Sequence, residues 1–173
     1  MTLKNAEVVS VLNDLIETCE DGIHGFSTAA DAVKNPSAKA LFASRLPKIE
    51  LGERELKAEI RRFGGDPDKR GTAAGALHRG WINLKSAITG KNEEAIVAEC
   101  VRGEEHAVQV YEDALQKDLP AETRTMIERQ YRGVLENLER VRALSADSGQ
   151  RPSGTSATAM DTGTPGPDVR PSP

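Results

Sequence analysis

Three connections separate the four long stretches of helical periodicity in this sequence, and their lengths are unequal. Lys34-Asn35-Pro36-Ser37 and Asp118-Leu119-Pro120 are tight turns, whereas the middle connection, from Gly64 to Lys91, takes about 28 residues. A turn of three or four residues leaves the next helix only an antiparallel place beside the first. The middle link is long enough to run from one end of a bundle to the other. The pattern therefore predicts two antiparallel hairpins joined by a long crossover.

In the first run, Val8, Leu12, Leu15, Ile16, Cys19, Ile23, Phe26, Ala30 and Val33 recur three and four apart, predicting a helix from Asn5 to about Val33. Asn35 reads as its stop and Ser37 as the N-cap of a second helix, from about Ala38 to Phe63. Pro47 lies inside that helix, where it removes a backbone hydrogen bond and crowds the carbonyl of Ala43, so a kink is expected. Gly64-Gly65-Asp66-Pro67 ends it. Within the crossover, Leu77, Trp81, Leu84 and Ile88 predict a shorter helical segment from Thr72 to Ile88, closed by Thr89-Gly90-Lys91-Asn92. A third long helix is expected from Glu93 to Gln116. Pro120 then suits a first helical position, and a last helix follows from Ala121 to Ala146.

The expected fold is all-α: a ferritin-like four-helix bundle over residues 1–146, two antiparallel hairpins joined by a long crossover containing a short helix. From 147 to 173 Ser, Gly, Pro, Thr, Ala and Asp dominate, and the large apolar residues are Met160 and Val169. Such a segment cannot bury enough apolar surface to offset its ordering entropy, so a disordered tail is expected there.

A formal charge of −4 and a pI near 5.5 offer no basic excess to draw in phosphates, which argues against a nucleic-acid partner. No stretch approaches the ~20 apolar residues of a membrane span. The first residues, Met1-Thr2-Leu3-Lys4-Asn5-Ala6-Glu7, lack the layout of a signal peptide, so a cytoplasmic protein is expected. Cys19 and Cys100 fall on apolar helix faces and read as small hydrophobes rather than a disulfide. Cys19-x-x-Gly22 recurs as Cys100-x-x-Gly103, either a trace of duplication or chance; close helix–helix approach is the usual compensation for such glycines.

The chemistry-bearing feature is a pair of carboxylates. In the second helix the core series reads Phe42, Leu46, Ile49, Glu53, Leu56, Ile60, Phe63, placing Glu53 mid-seam. In the third long helix Val97, Cys100, Glu104, Ala107, Tyr111 and Ala114 do the same for Glu104. A buried carboxylate costs several kcal/mol unless it is paired, protonated or bound to a cation. One reading is a metal site across the core, with Glu50, Glu53 and Glu104 as ligands and Glu20 and Gln130 as outer candidates. Hard oxygen donors of this kind suit iron or manganese. Two-metal bundles add a Glu-x-x-His motif on each of two helices. Here Glu50-x-x-Glu53 has the spacing without the imidazole, Ile127-x-x-Gln130 has neither group, and His24, His78 and His106 fall off the core faces. The other reading is a polar layer in which Glu53 and Glu104 bond to each other, to Tyr111 or Tyr131, or to buried water, and set the helix register.

The run Leu12-Asn13-Asp14-Leu15-Ile16-Glu17 with Asp21-Gly22, then Gly64-Gly65-Asp66-Pro67, Leu77-His78-Arg79-Gly80-Trp81, Gly103-Glu104 and Glu128-Arg129-Gln130-Tyr131, resembles a bacterial family of ferritin-like four-helix-bundle proteins known only as a domain of unknown function. The likeness spans about residues 5 to 145. It implies the fold and a cytosolic setting, and brings no activity. Ferritin-like relatives often bind two irons, but without paired Glu-x-x-His motifs that chemistry does not carry over. No nucleophile–base pair or phosphate-cradling glycine loop is present. The expectation is a non-catalytic bundle, acting in stress responses and pairing as a homodimer, with the metal-binding bundle as the alternative.

Overall fold

The computed structural model describes residues 3–69, 81 and 83–149. The tail expected from residue 147 is helical as far as Gly149, and the rest of it, like the segment holding His78 and Arg79, lies outside the described residues. Within the described set five helices follow in order: α1 Asn5–Ala32, α2 Pro36–Arg62, α3 Leu84–Thr89, α4 Glu93–Leu115 and α5 Ala121–Gly149. Among the described residues there is no strand.

The helix ends follow local chemistry. At the start of α1 the Glu7 carboxylate accepts the backbone N–H of Lys4 at 2.9 Å, filling one of the orphan valences of a first turn. The cap of α2 is Asn35, not Ser37: its side-chain oxygen accepts from the N–H of Ser37 at 2.9 Å and of Ala38 at 3.3 Å, with Pro36 at the first helical position. Asn35 both ends one hairpin arm and begins the next. The helix runs on through Pro47, which faces solvent.

At its far end α2 closes on glycine. Gly64 takes φ +77°, its N–H donates to the carbonyl of Arg61, and the N–H of Gly65 reaches back to Ile60, each at 3.0 Å. This paired closure needs a left-handed residue, which glycine adopts at no steric cost.

The contacts between helix ends fix the topology. Leu3 N–H donates to the Asp118 carbonyl at 3.0 Å, and the Glu93 carboxylate accepts from the backbone of Lys34 and Asn35. The start of α1 thus lies beside the end of α4, and the end of α1 beside the start of α4. At the other pairing, Glu59 and Arg62 near the end of α2 bond Thr123 and Glu122 in the first turn of α5. The chain therefore leaves α2 at one end of the bundle and enters α4 at the other, as the length of the middle connection demands.

The short crossover helix is shorter than its periodicity suggests. The chain is not helical at Trp81 or Asn83, and α3 begins only at Leu84; residues 72–80 lie outside the described set. Trp81 is not one position on a helical stripe; it is the plug against one side of the bundle that a lone tryptophan in the crossover leads one to expect. Its ring is 6 % exposed and meets Phe26 edge-on at 5.1 Å. It lies against Gly25 on α1 and Gly103 on α4. Phe26 in turn contacts Phe42 at 5.8 Å, joining the plug to α2.

Candidate functional site

Polar residues enter the core about halfway along the bundle. Glu104 on α4 is 2 % exposed, and both of its oxygens are engaged. Oε1 accepts from Arg45 Nε of α2 and from Asn137 Nδ2 of α5, each at 2.7 Å, and Oε2 accepts from Arg45 Nη2 at 3.4 Å. Arg45 and Asn137 are themselves 7 % and 5 % exposed. Burial pushes the Glu104 carboxyl above the ordinary carboxylate range; the Arg45 charge, then the hydrogen bonds from Arg45 and Asn137, pull against it.

A second chain of bonds lies beside this triad. Tyr111 O–H donates to Gln130 Oε1 at 2.9 Å, and Gln130 Nε2 donates to the Gly52 carbonyl at 3.2 Å and to Glu55 at 2.9 Å. The Cys19 sulfur lies 3.8 Å from the Tyr111 oxygen. Each long helix thus contributes to one polar layer. The two thiols are free and buried. Burial pushes Cys19 up to about 12 and Cys100 well above its ordinary value, so both are protonated, unreactive fillers at neutral pH.

The candidate ligands do not converge. Glu104 is in the core as expected. Glu53 is not mid-seam: it is half-buried and paired with Lys57 at 2.5 Å on its own helix. Glu50 is exposed, Glu20 is half-buried on α1, and Gln130 is half-buried with its amide spent in the bonds above. Among the described residues no group of three or more His, Cys, Asp or Glu side chains is placed to hold a metal ion.

The correction on α2 has a simple cause. Two series with alternating steps of three and four share Phe42, Ile49 and Leu56: one passes through Leu46 and Glu53, the other through Arg45 and Gly52. Apolar identity favours the first, because Leu46 looks like core and Arg45 does not. The fold buries the second and leaves Leu46 and Glu53 half-buried. Arg45 is acceptable inside because Glu104 is there to meet it, and that match is visible only once α2 and α4 are brought together.

Sequence reasoning also missed Asn137 and Glu99. Glu99 is 1 % exposed, takes the backbone N–H of Asn83 at 3.4 Å and pairs with Arg102. It ties α4 to the chain just before α3.

A centre of the kind ferritin-like bundles carry needs several carboxylates with free lone pairs around the cation. Here the Glu104 carboxylate already holds a guanidinium and an amide, and a second cation would be repelled by the first; Glu99, the other buried carboxylate, sits beside Arg102 rather than in this layer. Among the described residues the donor set does not fit a two-metal site.

The layer borders a cavity of about 190 Å³. One glycine from each long helix lines it: Gly22, Gly52, Gly103 and Gly133, with Arg45 and Trp81 also in its wall. The chain matches the model of the family described as Domain of unknown function (DUF2383) over residues 7–117. It belongs to the DUF2383 family. Among solved structures, this member is similar to a two-domain protein with DJ-1/ThiJ/PfpI-like and ferritin-like domains from Anabaena variabilis. The TM-score is 0.71 at 12 % identity, and the match covers 91 % of this chain and 42 % of the other. The DUF2383 chain thus spans less than half the length of that protein, and the likeness shows a ferritin-like fold. No curated protein matches it. Among the described residues no helix is long and apolar enough to cross a membrane.

Proposed function

We propose that this DUF2383 chain is a non-catalytic helical module that works by association, with the buried Arg45–Glu104–Asn137 triad holding its helices in register. The observation that carries this reading is the charge balance of Glu104. Ferritin-like bundles bring carboxylates inside to bind metal, and a carboxylate left alone there costs several kcal/mol. In this chain the compensating cation is a side chain, held at 2.7 Å by Nε. A guanidinium cannot be oxidised, exchanged or coordinated by substrate, so the layer has the makings of a structural lock rather than a reaction centre. Pairing with a second copy through an outer helix face is part of the same proposal, as the common arrangement of such bundles.

Two measurements test the proposal. Elemental analysis of protein purified without chelator is expected to find no stoichiometric iron or manganese. Bound metal that is lost in both Glu53→Ala and Glu104→Ala would replace this reading with the metal-binding one. Light scattering of the full chain is expected to give the mass of a dimer; a monomer at micromolar concentration would remove the self-association part.

A further inference from the structure

The cavity beside the polar layer is built from residues that a purely structural core would not choose. Glycine inside a helix is less favourable than alanine by about 1 kcal/mol, yet one glycine from each long helix lines this space. Packing explains some of them. A Cβ at Gly103 would fall 2.5 Å from the Trp81 ring, one at Gly22 would lie 3.2 Å from Ile49, and one at Gly52 would lie 3.4 Å from Gln130. Gly133 is different: a Cβ built there meets no described atom within 4 Å beyond its own helix backbone. At that position no packing requirement replaces the lost helix propensity, and the effect of the missing side chain is to keep the cavity open.

The second observation is a spare donor. Arg45 lines the cavity and is 7 % exposed. Glu104 engages its Nε at 2.7 Å and its Nη2 at 3.4 Å, and among the described residues no hydrogen bond is made by Nη1, which is not one of the fully buried orphan atoms of the core. A guanidinium has five N–H donors and is strongly favoured when they are used. The rest of the wall is mainly apolar: Phe26, Ile49, Trp81 and Val134 contribute to it. The space therefore combines a largely apolar surface with a fixed guanidinium donor and a few other polar side chains, Thr18, His106 and Gln130 among them, the layout of a small-molecule pocket.

We propose that this cavity binds a small neutral molecule, an aromatic or alicyclic ring bearing one carbonyl or comparable acceptor, with the ring against Trp81 and the acceptor on Arg45. Size sets the class: a closed hole of about 150 Å³ accepts benzene, and this cleft, partly open to solvent, has at about 190 Å³ room for a ring and a short substituent. Charge narrows it further. Arg45 is already balanced by Glu104, so an anionic ligand would leave an uncompensated buried negative charge. At the rim Asp21 and Glu55 offset Lys48 and Arg129, which adds no net attraction for an anion.

Trp81 is the only tryptophan in the chain, so its fluorescence reports on the cavity directly. Acetophenone is the probe, titrated into the full-length protein, with ethylbenzene as the same shape lacking the acceptor and benzoate as the charged counterpart. The expected result is a saturable change in Trp81 emission and a raised thermal midpoint with acetophenone. Ethylbenzene and benzoate should each bind at least tenfold more weakly. Gly133→Leu, which fills the space from a position with room for it, should abolish binding while keeping the native far-ultraviolet circular dichroism. Ala107→Leu on α4 is a second filler should the first fail to fold. No saturable change with acetophenone, or binding undiminished in a folded filler variant, overturns the site. Ethylbenzene or benzoate binding as tightly as acetophenone overturns the assignment of a neutral acceptor to Arg45. None of these outcomes depends on whether the protein binds metal or dimerises.

Discussion

The indole of Trp81 occupies the place where a side chain at Gly103 would begin, with its Cζ2 atom 2.5 Å from a Cβ built on that glycine. Gly25 on α1 faces the same ring from the other helix, closer still. The two glycines form a slot, and the crossover is anchored by filling it. Adding a methyl group to either helix gains about 1 kcal/mol of helix propensity but forces the ring out of its seat, an overpacking cost of about 1–3 kcal/mol or more. Gly25→Ala and Gly103→Ala are each expected to lower stability in urea denaturation and to red-shift the Trp81 emission as the ring meets solvent. Unchanged emission in both would show that the slot does not hold the ring.

Gly133 should respond in the opposite sense. With no described neighbour near the built Cβ, Gly133→Ala gains propensity without a clash. An increase of about 0.5–1 kcal/mol is expected from urea denaturation. A loss of stability there would mean that the space beside α5 is tighter than the structure has it.

The buried thiol gives a pH dependence whose sign can be worked out. Burial holds the Cys19 proton to about 12, against an ordinary value of 9.0. The folded state thus keeps a proton that the unfolded state releases, and stability falls as pH rises through that window. Tyr111, raised well above 10.0 by burial first and by its Cys19 neighbour next, acts in the same direction. Stability is expected to be insensitive to these groups below about pH 9 and to decline above it, and the decline should be shallower in Cys19→Ala. At pH 8, where Cys19 keeps its proton, a bulky charged thiol reagent should modify the native protein only slowly. Rapid modification of native protein would contradict the burial of the layer.

Much of the fold was legible from the sequence because it rests on local signals. The turns at Asn35 and Pro120, the Gly64-Gly65 stop and the unequal connection lengths each act over a few residues, and together they dictate two hairpins and a crossover. The polar layer was legible only in part. Glu104 could be placed because its neighbours in the series are apolar on every turn. Arg45 and Asn137 could not, because a buried polar residue is tolerated only when a partner arrives from another helix, and that partner is a tertiary fact. On α2 the alternative series differed by one residue, about 100° of helix rotation, and the leucine at 46 pointed to the wrong one. Trp81 likewise shared a spacing with Leu84 and Ile88 while belonging to no helix.

The cation opposite Glu104 is the Arg45 side chain, and the polar layer depends on that pairing. A double-mutant cycle in urea denaturation tests it most directly. Removing either partner leaves a buried charge uncompensated, so Arg45→Met and Glu104→Met should each cost about 3–5 kcal/mol. The double variant replaces the pair with apolar groups and should lie far closer to the parent than the sum, or even above it. Losses that simply add would mean that the two residues do not compensate one another, and the structural-lock reading of the core would fail.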